Sequence, residues 1–121
     1  METFFTFDEM IEKLFEVLFL EESFEFLKSL DKKHSEKILY NVRKAQAKND
    51  PELLKKLNSD IWEFRTLYQG HQYRLLAFWD KTCSEKTMVI ATHGFVKKQS
   101  KVPDNEIGRA LNLRDRYFQK Q

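Results

Sequence analysis

The chain has few of the residues that interrupt or cross-link a fold: three glycines, two prolines and one cysteine in 121 residues. A glycine-rich phosphate loop is excluded, because Gly70, Gly94 and Gly108 are scattered along the chain. An intramolecular disulfide is also excluded, because Cys83 has no second cysteine to pair with. We interpret Cys83 as a loop residue of a protein from a reducing compartment. Without a linker or an internal repeat, residues 1–121 are expected to form a single domain.

Long apolar runs and metal-binding motifs are missing as well. The most apolar run, residues 14–20, contains Glu16 and is much shorter than the roughly 20 residues that a membrane span needs. The acidic start of the chain differs from the basic start of a signal peptide. His34, His71 and His93 lie far apart, so that no Cys/His metal spacing exists. We therefore expect a cytoplasmic protein with no membrane contact, no metal and no cofactor.

What the chain does have is a gradient of charge. Residues 1–40 contain 5 Lys and Arg against 10 Asp and Glu, whereas residues 86–121 contain 8 against 3. The net charge of the whole chain is only +2, so the basic residues are concentrated late. Such a bias favours an anionic ligand such as RNA, although a solvated charged surface is the more common cause.

The hydrophobic pattern predicts an α+β fold. Residues 13–20 form a short apolar run typical of a strand, and apolar positions in the next two segments recur at helical spacing. The pattern then alternates in steps of two between turn residues, which is typical of antiparallel strands. Pro51 is placed to begin a short helical turn. The predicted order is strand 13–20, helices 21–30 and 32–48, a helical turn at 51–57, strands 61–67, 72–79 and 87–93, and helix 105–119, with about four strands in one sheet and the helices packed against it.

Two arginines lie on adjacent predicted strands. The tight turn at residues 68–71 joins these strands, so Arg65 and Arg74 can approach each other across the hairpin. Two guanidinium groups repel unless an anion lies between them, and the arginine fork binds phosphate through two hydrogen bonds. A phosphodiester is therefore a candidate ligand. The alternative, which spacing alone favours, is a pair of surface arginines bound to Glu63 or Asp60.

A histidine and a pair of lysines follow the last predicted strand. His93 precedes Gly94, and we expect it to be exposed where the strand passes into a turn. Its ordinary pKa of about 6.5 would let it transfer a proton at neutral pH. Lys97 and Lys98 lie between that turn and Pro103, on a constrained segment rather than on a tail. The alternatives are a histidine satisfied by a backbone carbonyl and two solvated lysines.

Four further residues are candidates for contact with a nucleic acid. Lys55, Lys56 and Lys101 could extend the basic surface, or they could be ordinary surface lysines. Tyr73 could stack on a base, but its strand face also carries Leu75, and we favour a core position. These four are the candidate substrate-binding residues.

Three segments carry a combination of motifs that is typical of one superfamily. They are Trp62 to Arg65 (WEFR), Gln72 to Trp79 (QYRLLAFW), and His93 to Pro103, which begins HGFVKK. In order and spacing they resemble the RelE/ParE superfamily of bacterial toxins, most closely its HigB-like branch with phage-related relatives. Phe64 stands where that branch typically has leucine. The resemblance extends over residues 13–118, and residues 1–12 form an N-terminal extension before the usual first strand.

The resemblance implies a type II toxin, which is a metal-independent endoribonuclease that cuts mRNA, commonly on the translating ribosome. The reaction is attack of a ribose 2′-OH on the adjacent phosphate. A small antiparallel sheet with helices on one side is implied, as is a cognate helix-turn-helix antitoxin through which any DNA contact would be indirect. The implied roles are phosphate binding by Arg65 and Arg74, charge neutralisation or leaving-group protonation by Lys97 and Lys98, and proton transfer by His93.

Two alternatives stay open. One is a ParE-like toxin that inhibits DNA gyrase without cutting RNA. We disfavour it because that branch lacks the ribonuclease site, to which His93, Lys97 and Lys98 belong in the resemblance. The other is a non-catalytic phage-derived protein that only binds a helix-turn-helix regulator.

Overall fold

The computed structural model describes residues 1–10, 12–82 and 87–120. The interpretation of Cys83 as a loop residue therefore lies outside the described residues. In these ranges none of the helices has the length and apolar character needed to cross a membrane. The elements are α1 Phe7–Met10, β1 Glu16–Phe19, α2 Glu21–Ser29, α3 Lys32–Ala47, β2 Leu54–Lys56, β3 Trp62–Tyr68, β4 His71–Asp80, β5 Met88–Val96 and α4 Asp104–Gln119.

The strands form one five-stranded sheet in the order β1-β5-β4-β3-β2. Edge strand β1 runs parallel to β5, and the remaining neighbours are antiparallel. The predicted α+β architecture, with helices packed against a largely antiparallel sheet, is confirmed. The parallel pair was not predicted, because β1 reaches β5 only through the intervening helices and strands.

The hairpin between β3 and β4 has the turn that its residues favour. Gln69 and Gly70 have φ values of 49° and 80°, which a two-residue turn of this handedness requires and which glycine adopts at little cost. Tyr68 pairs with His71 directly beside the turn. The turn therefore fixes the register of all the residue pairs between β3 and β4, including the pair Arg65 and Arg74.

The helical turn predicted at residues 51–57 is wrong beyond its first residues. The amides of Leu53 and Leu54 do donate to the Asp50 carbonyl, at 2.9 and 3.0 Å. The chain then extends as β2, in which Lys55 pairs with Glu63 on β3. Pairing with the next strand along the chain outweighs the local helical preference of this short segment, as is common for weak propensities.

The end predicted for the last strand, near His93, is also wrong. Strand β5 continues to Val96, with Gly94 opposite Leu75 in the pairing with β4. A Cβ atom at Gly94 would overlap the ring of Phe26, so glycine is required there for close packing rather than for a turn. A bulge shifts the register so that His93 lies opposite Leu76.

Helices cover both faces of the sheet, which corrects the one-sided arrangement implied by the resemblance. On β4, Leu75 and Ala77 pack with residues of α2 and α3. The alternate residues Leu76 and Phe78 pack in a second cluster with residues of α4. Both faces of β4 are apolar, so each needs a covering layer. The α4 face becomes basic beyond Leu76, because the next residue on that face is Arg74.

Candidate functional site

The two arginines of the hairpin lie opposite each other, as the sequence predicts. Arg65 on β3 is the direct partner of Arg74 on β4, so their side chains extend from the same face of the sheet. Arg65 is half-buried and Arg74 is buried, with 3% of its surface exposed. Burial, and then the positive charge of Arg65, lower the pKa of Arg74. An arginine remains charged despite such a shift, so the pair is a concentrated positive charge.

The guanidinium of Arg74 is already held by three contacts. Its Nε lies 2.7 Å from Oε1 of Glu63. One terminal nitrogen donates to the Tyr73 carbonyl at 3.0 Å, and the other donates to Oε1 of Gln72 at 3.3 Å. The alternative partner Glu63 is therefore correct for Arg74, but the pair is buried rather than on the surface. Arg74 cannot offer a free fork to a phosphate in this arrangement.

Glu63 is the residue of this site that the sequence analysis missed as a component. Its side chain is 6% exposed, and it lies on the same face as Arg65, two residues further along β3. The alternation of Glu63 and Arg65 is visible in the sequence. The signal that could have identified it is its position one step diagonally from Arg74, which becomes visible once the hairpin register is known.

A lysine from the end of β5 completes the group. The Lys97 amide donates to the Gln72 carbonyl at 2.7 Å, which brings this segment beside the start of β4. Burial and then Arg74 lower the pKa of Lys97, and Arg65 and Lys55 lower it further, while Glu63 raises it. Four cationic side chains therefore interact around one carboxylate. We call this group the cation cluster: Lys55, Arg65, Arg74 and Lys97.

The other predicted basic residues lie outside the cation cluster. Lys98 and Lys101 are exposed on the segment between β5 and α4. Lys56 is exposed and pairs with Trp62, on the face of β2 opposite to that of Lys55. These three lysines are close to members of the cluster along the chain. In the described part of the chain, however, no contact between them and the cluster is seen.

Tyr73 occupies the core position that we favoured. It is buried on the α2 and α3 face, opposite to the face of Arg74. Its hydroxyl group lies 2.6 Å from Nδ1 of His34. Burial raises the pKa of Tyr73. A base that reached the cation cluster would therefore not meet this ring.

The expectation of an exposed His93 is wrong. The side chain is 1% exposed, and its Nε2 lies 3.1 Å from Oε1 of Glu106 in the first turn of α4. Its Nδ1 lies 3.1 Å from the hydroxyl of Thr92. Burial lowers the pKa of His93, and the hydrogen bond to Glu106 opposes this shift. The histidine is thus a neutral group that anchors α4 to the sheet, out of reach of a substrate.

Together the fold and the cation cluster define a small α+β protein with a group of basic side chains on one face of its sheet. Residues 25–115 match the family model described as phage derived protein Gp49-like (DUF891). The match covers most of the chain, and the protein belongs to this family, which is associated with RelE-like toxins. No curated protein matches the chain at a significant level.

Proposed function

We propose that this protein is the toxin of a type II toxin-antitoxin system, a metal-independent endoribonuclease related to the HigB-like branch. Membership of a family associated with RelE-like toxins supports the toxin class. The observation that carries the nuclease proposal is the cation cluster, in which four positive side chains share one carboxylate. An excess of cations that the described residues do not neutralise is suited to an anionic ligand, and arginine and lysine bind phosphate through strong charge-assisted hydrogen bonds.

The reaction needs positive charge more than it needs any other group. The 2′-oxygen forms a bond to phosphorus, the bond from phosphorus to the 5′-oxygen breaks, and the intermediate state carries extra negative charge. Fixed cations stabilise that state more than they stabilise the bound RNA. Arg65 is the arginine that would meet the phosphate, because no carboxylate of the described residues lies within ion-pair distance of it. Arg74 is buried and held by Glu63, so it would stabilise the phosphate through its positive charge without direct contact.

Lys97 is the proposed proton donor to the leaving 5′-oxygen. It is half-buried, and burial together with its cationic neighbours lowers its pKa, which makes an ammonium group a better acid near neutral pH. Glu63 is the carboxylate of the site that could accept the proton of the 2′-OH while it stays paired with Arg74. His93, buried against Glu106, takes no part in this scheme.

The proposed partners are mRNA on the translating ribosome and a cognate helix-turn-helix antitoxin. Lys98 and Lys101 are exposed and close in sequence to Lys97, so they are suited to contacts with RNA beyond the scissile phosphate. The antitoxin would silence the toxin by covering the cation cluster or by moving Lys97. Contact with DNA would then occur only through the antitoxin.

Growth after induction tests the toxin proposal. The wild-type chain is expected to arrest growth, and Arg65→Ala and Lys97→Ala are each expected to abolish the arrest. Lys33→Ala, which removes an exposed lysine from α3, is the matched control and should arrest growth like the wild type. Arrest by all three variants would contradict the assignment. Arrest accompanied by loss of gyrase supercoiling, with intact mRNA, would instead support the ParE-like alternative.

A further inference from the structure

A basic cleft lies at the end of the sheet opposite the Gln69-Gly70 turn. It encloses about 560 Å³ and is lined by Trp62 at the start of β3 and Trp79 near the end of β4. These are the two tryptophans of the chain. The cleft is separate from the cation cluster, since none of its lining residues belongs to that group.

The two indole rings pack edge to face. Their centroids are 5.7 Å apart and the ring planes are inclined by 74°. Trp79 is anchored in turn by Phe15, at 5.2 Å. Both tryptophans are only half-buried, so each ring contributes surface to the cleft. A rigid aromatic wall of this kind binds planar ligands, because stacking costs little conformational entropy.

Positive charge surrounds the aromatic wall. Lys56, Lys81 and Arg114 line the cleft together with one carboxylate, that of Asp60. A terminal nitrogen of Arg114 lies 3.7 Å from Oδ1 of Asp60, so this pair is largely balanced. Lys56 and Lys81 are exposed and supply the remaining positive charge. Indole surface beside lysines that pair with no carboxylate of the described residues is a combination suited to single-stranded nucleic acid.

The cleft and the cation cluster are linked by strand β2. Lys55 and Lys56 are consecutive, so one side chain points to the cluster and the next lies on the side of the cleft. On β3, Trp62 is three residues from Arg65, which corresponds to about 10 Å along a strand. β2 is the last strand of the sheet. A single polynucleotide strand can therefore cross this edge and contact both places.

We propose that the cleft binds a nucleotide of single-stranded RNA close to the linkage held at the cation cluster, with its base against Trp62 and its phosphate between Lys56 and Lys81. The inference rests on the proposed function, because it takes RNA to be the ligand of the cluster. An acidic peptide would be attracted by the lysines but would make little use of the indole surface. The charge and the aromatic wall together favour RNA.

The experiment is a binding titration with a short single-stranded RNA in which every 2′-OH is methylated, so that the nucleophile is absent and cleavage cannot occur. Emission from the two tryptophans reports directly on the cleft, and stacking of a base is expected to quench it. Affinity is measured separately by anisotropy of labelled RNA. Trp62→Ala should weaken binding about five- to hundred-fold, whereas Trp62→Phe, which keeps a ring, should recover most of it.

Charge is tested by the double variant Lys56→Ala/Lys81→Ala. Each lysine that contacts a phosphate should lower the slope of log Kd against log salt concentration by about 0.7. The matched control is Lys33→Ala/Lys44→Ala, which removes two exposed lysines from α3 and should leave the slope unchanged. A merely structural role for Lys56 and Lys81 would not change the salt dependence. Circular dichroism checks that each variant is folded.

Failure of this inference can be told apart from failure of the proposed function. RNA that is cleaved by the wild type, but binds without quenching and with equal affinity to the cleft variants, would overturn the inference and leave the nuclease in place. Quenching and a Trp62-dependent Kd without any cleavage activity would support the cleft while contradicting the nuclease. Quenching by an acidic peptide and not by RNA would overturn the RNA assignment.

Discussion

The α4 face of the sheet holds two pairs in which a buried basic side chain contacts a carboxylate, and the pairs differ in their surroundings. Near α4, His93 and Glu106 form a pair in which the histidine is kept neutral by burial. On the neighbouring strands β4 and β3 of the same face, Arg74 and Glu63 form a pair with further cations around it. The first pair is satisfied within the fold. Within the described ranges, the second leaves positive charge unneutralised, and that excess distinguishes a candidate site from a structural contact.

The largest expected effect is on RNA cleavage. Arg65→Ala or Lys97→Ala should each lower the rate of mRNA cleavage by about 10²–10³-fold, which is the usual cost of removing one group that stabilises a transition-state charge. His93→Gln should cleave at close to the wild-type rate, because that side chain is buried against Glu106 and is not exposed to a substrate. Cleavage is measured with purified protein added to translating ribosomes. Equal losses in all three variants would contradict the distinction between the two pairs.

Stability should respond most strongly to loss of the carboxylate in the cation cluster. Glu63→Gln leaves Arg74 buried without its anionic partner, and breaking a buried pair in this way costs about 3–5 kcal/mol. Glu106→Gln should cost nearer 1 kcal/mol, because His93 is neutral and the lost contact is an ordinary hydrogen bond. Urea unfolding midpoints compare the two variants.

Inorganic phosphate should affect the stability of the Glu63→Gln and Glu106→Gln variants differently. Added inorganic phosphate should restore part of the stability of Glu63→Gln, since it supplies the missing negative charge and binds only the folded state. It should do nothing for Glu106→Gln. Equal responses of the two variants to phosphate would show that the cluster does not bind this anion preferentially.

The pH dependence of cleavage should reflect Lys97. The pKa of its ammonium group lies below the ordinary lysine value of about 10.4. The protonated form is the active one, so the rate should fall as pH rises through this lowered pKa, earlier than for a solvated lysine. In Lys97→Arg, any remaining activity should persist to higher pH, because arginine stays charged. A fall at the same pH in both proteins would assign the titration to another group.

The smallest expected effect is the pH dependence of stability due to His93. Its folded pKa lies below the unfolded value of about 6.5. The unfolded state therefore binds more protons between these two values, and stability is lost as pH falls below about 6.5. Above that pH the histidine is neutral in both states and contributes no pH dependence. In unfolding experiments at a series of pH values, the free energy of unfolding of His93→Gln should fall less at acid pH than that of the wild type.

Much of the fold follows from local patterns in the sequence. The alternation in β3 and β4, and the Gln69-Gly70 turn between them, predicted the hairpin and the approach of Arg65 to Arg74. Strand β2 did not follow, because its three residues are extended only by pairing with β3. Gly94 was interpreted as a turn signal, although the structure requires glycine there to admit the ring of Phe26. That one misinterpretation placed His93 at the surface.

The composition of the site was harder to predict than its location. The arginine pair and Lys97 could be proposed from residue type and strand order. The role of Glu63 depends on which cation its side chain meets, and this is set by the register of the hairpin. The cleft between Trp62 and Lys81 joins the beginning of one strand to the end of the next, so spacing along the chain gives no sign of it.

The most direct test of the account is the chemistry of the RNA ends made by the purified protein on translating ribosomes. The account predicts new mRNA 5′ ends that carry a hydroxyl group, formed by the wild type and by His93→Gln but not by Arg65→Ala. Absence of new ends with the wild type, or the same ends at the same rate with Arg65→Ala, would contradict the claim that the cation cluster cleaves RNA.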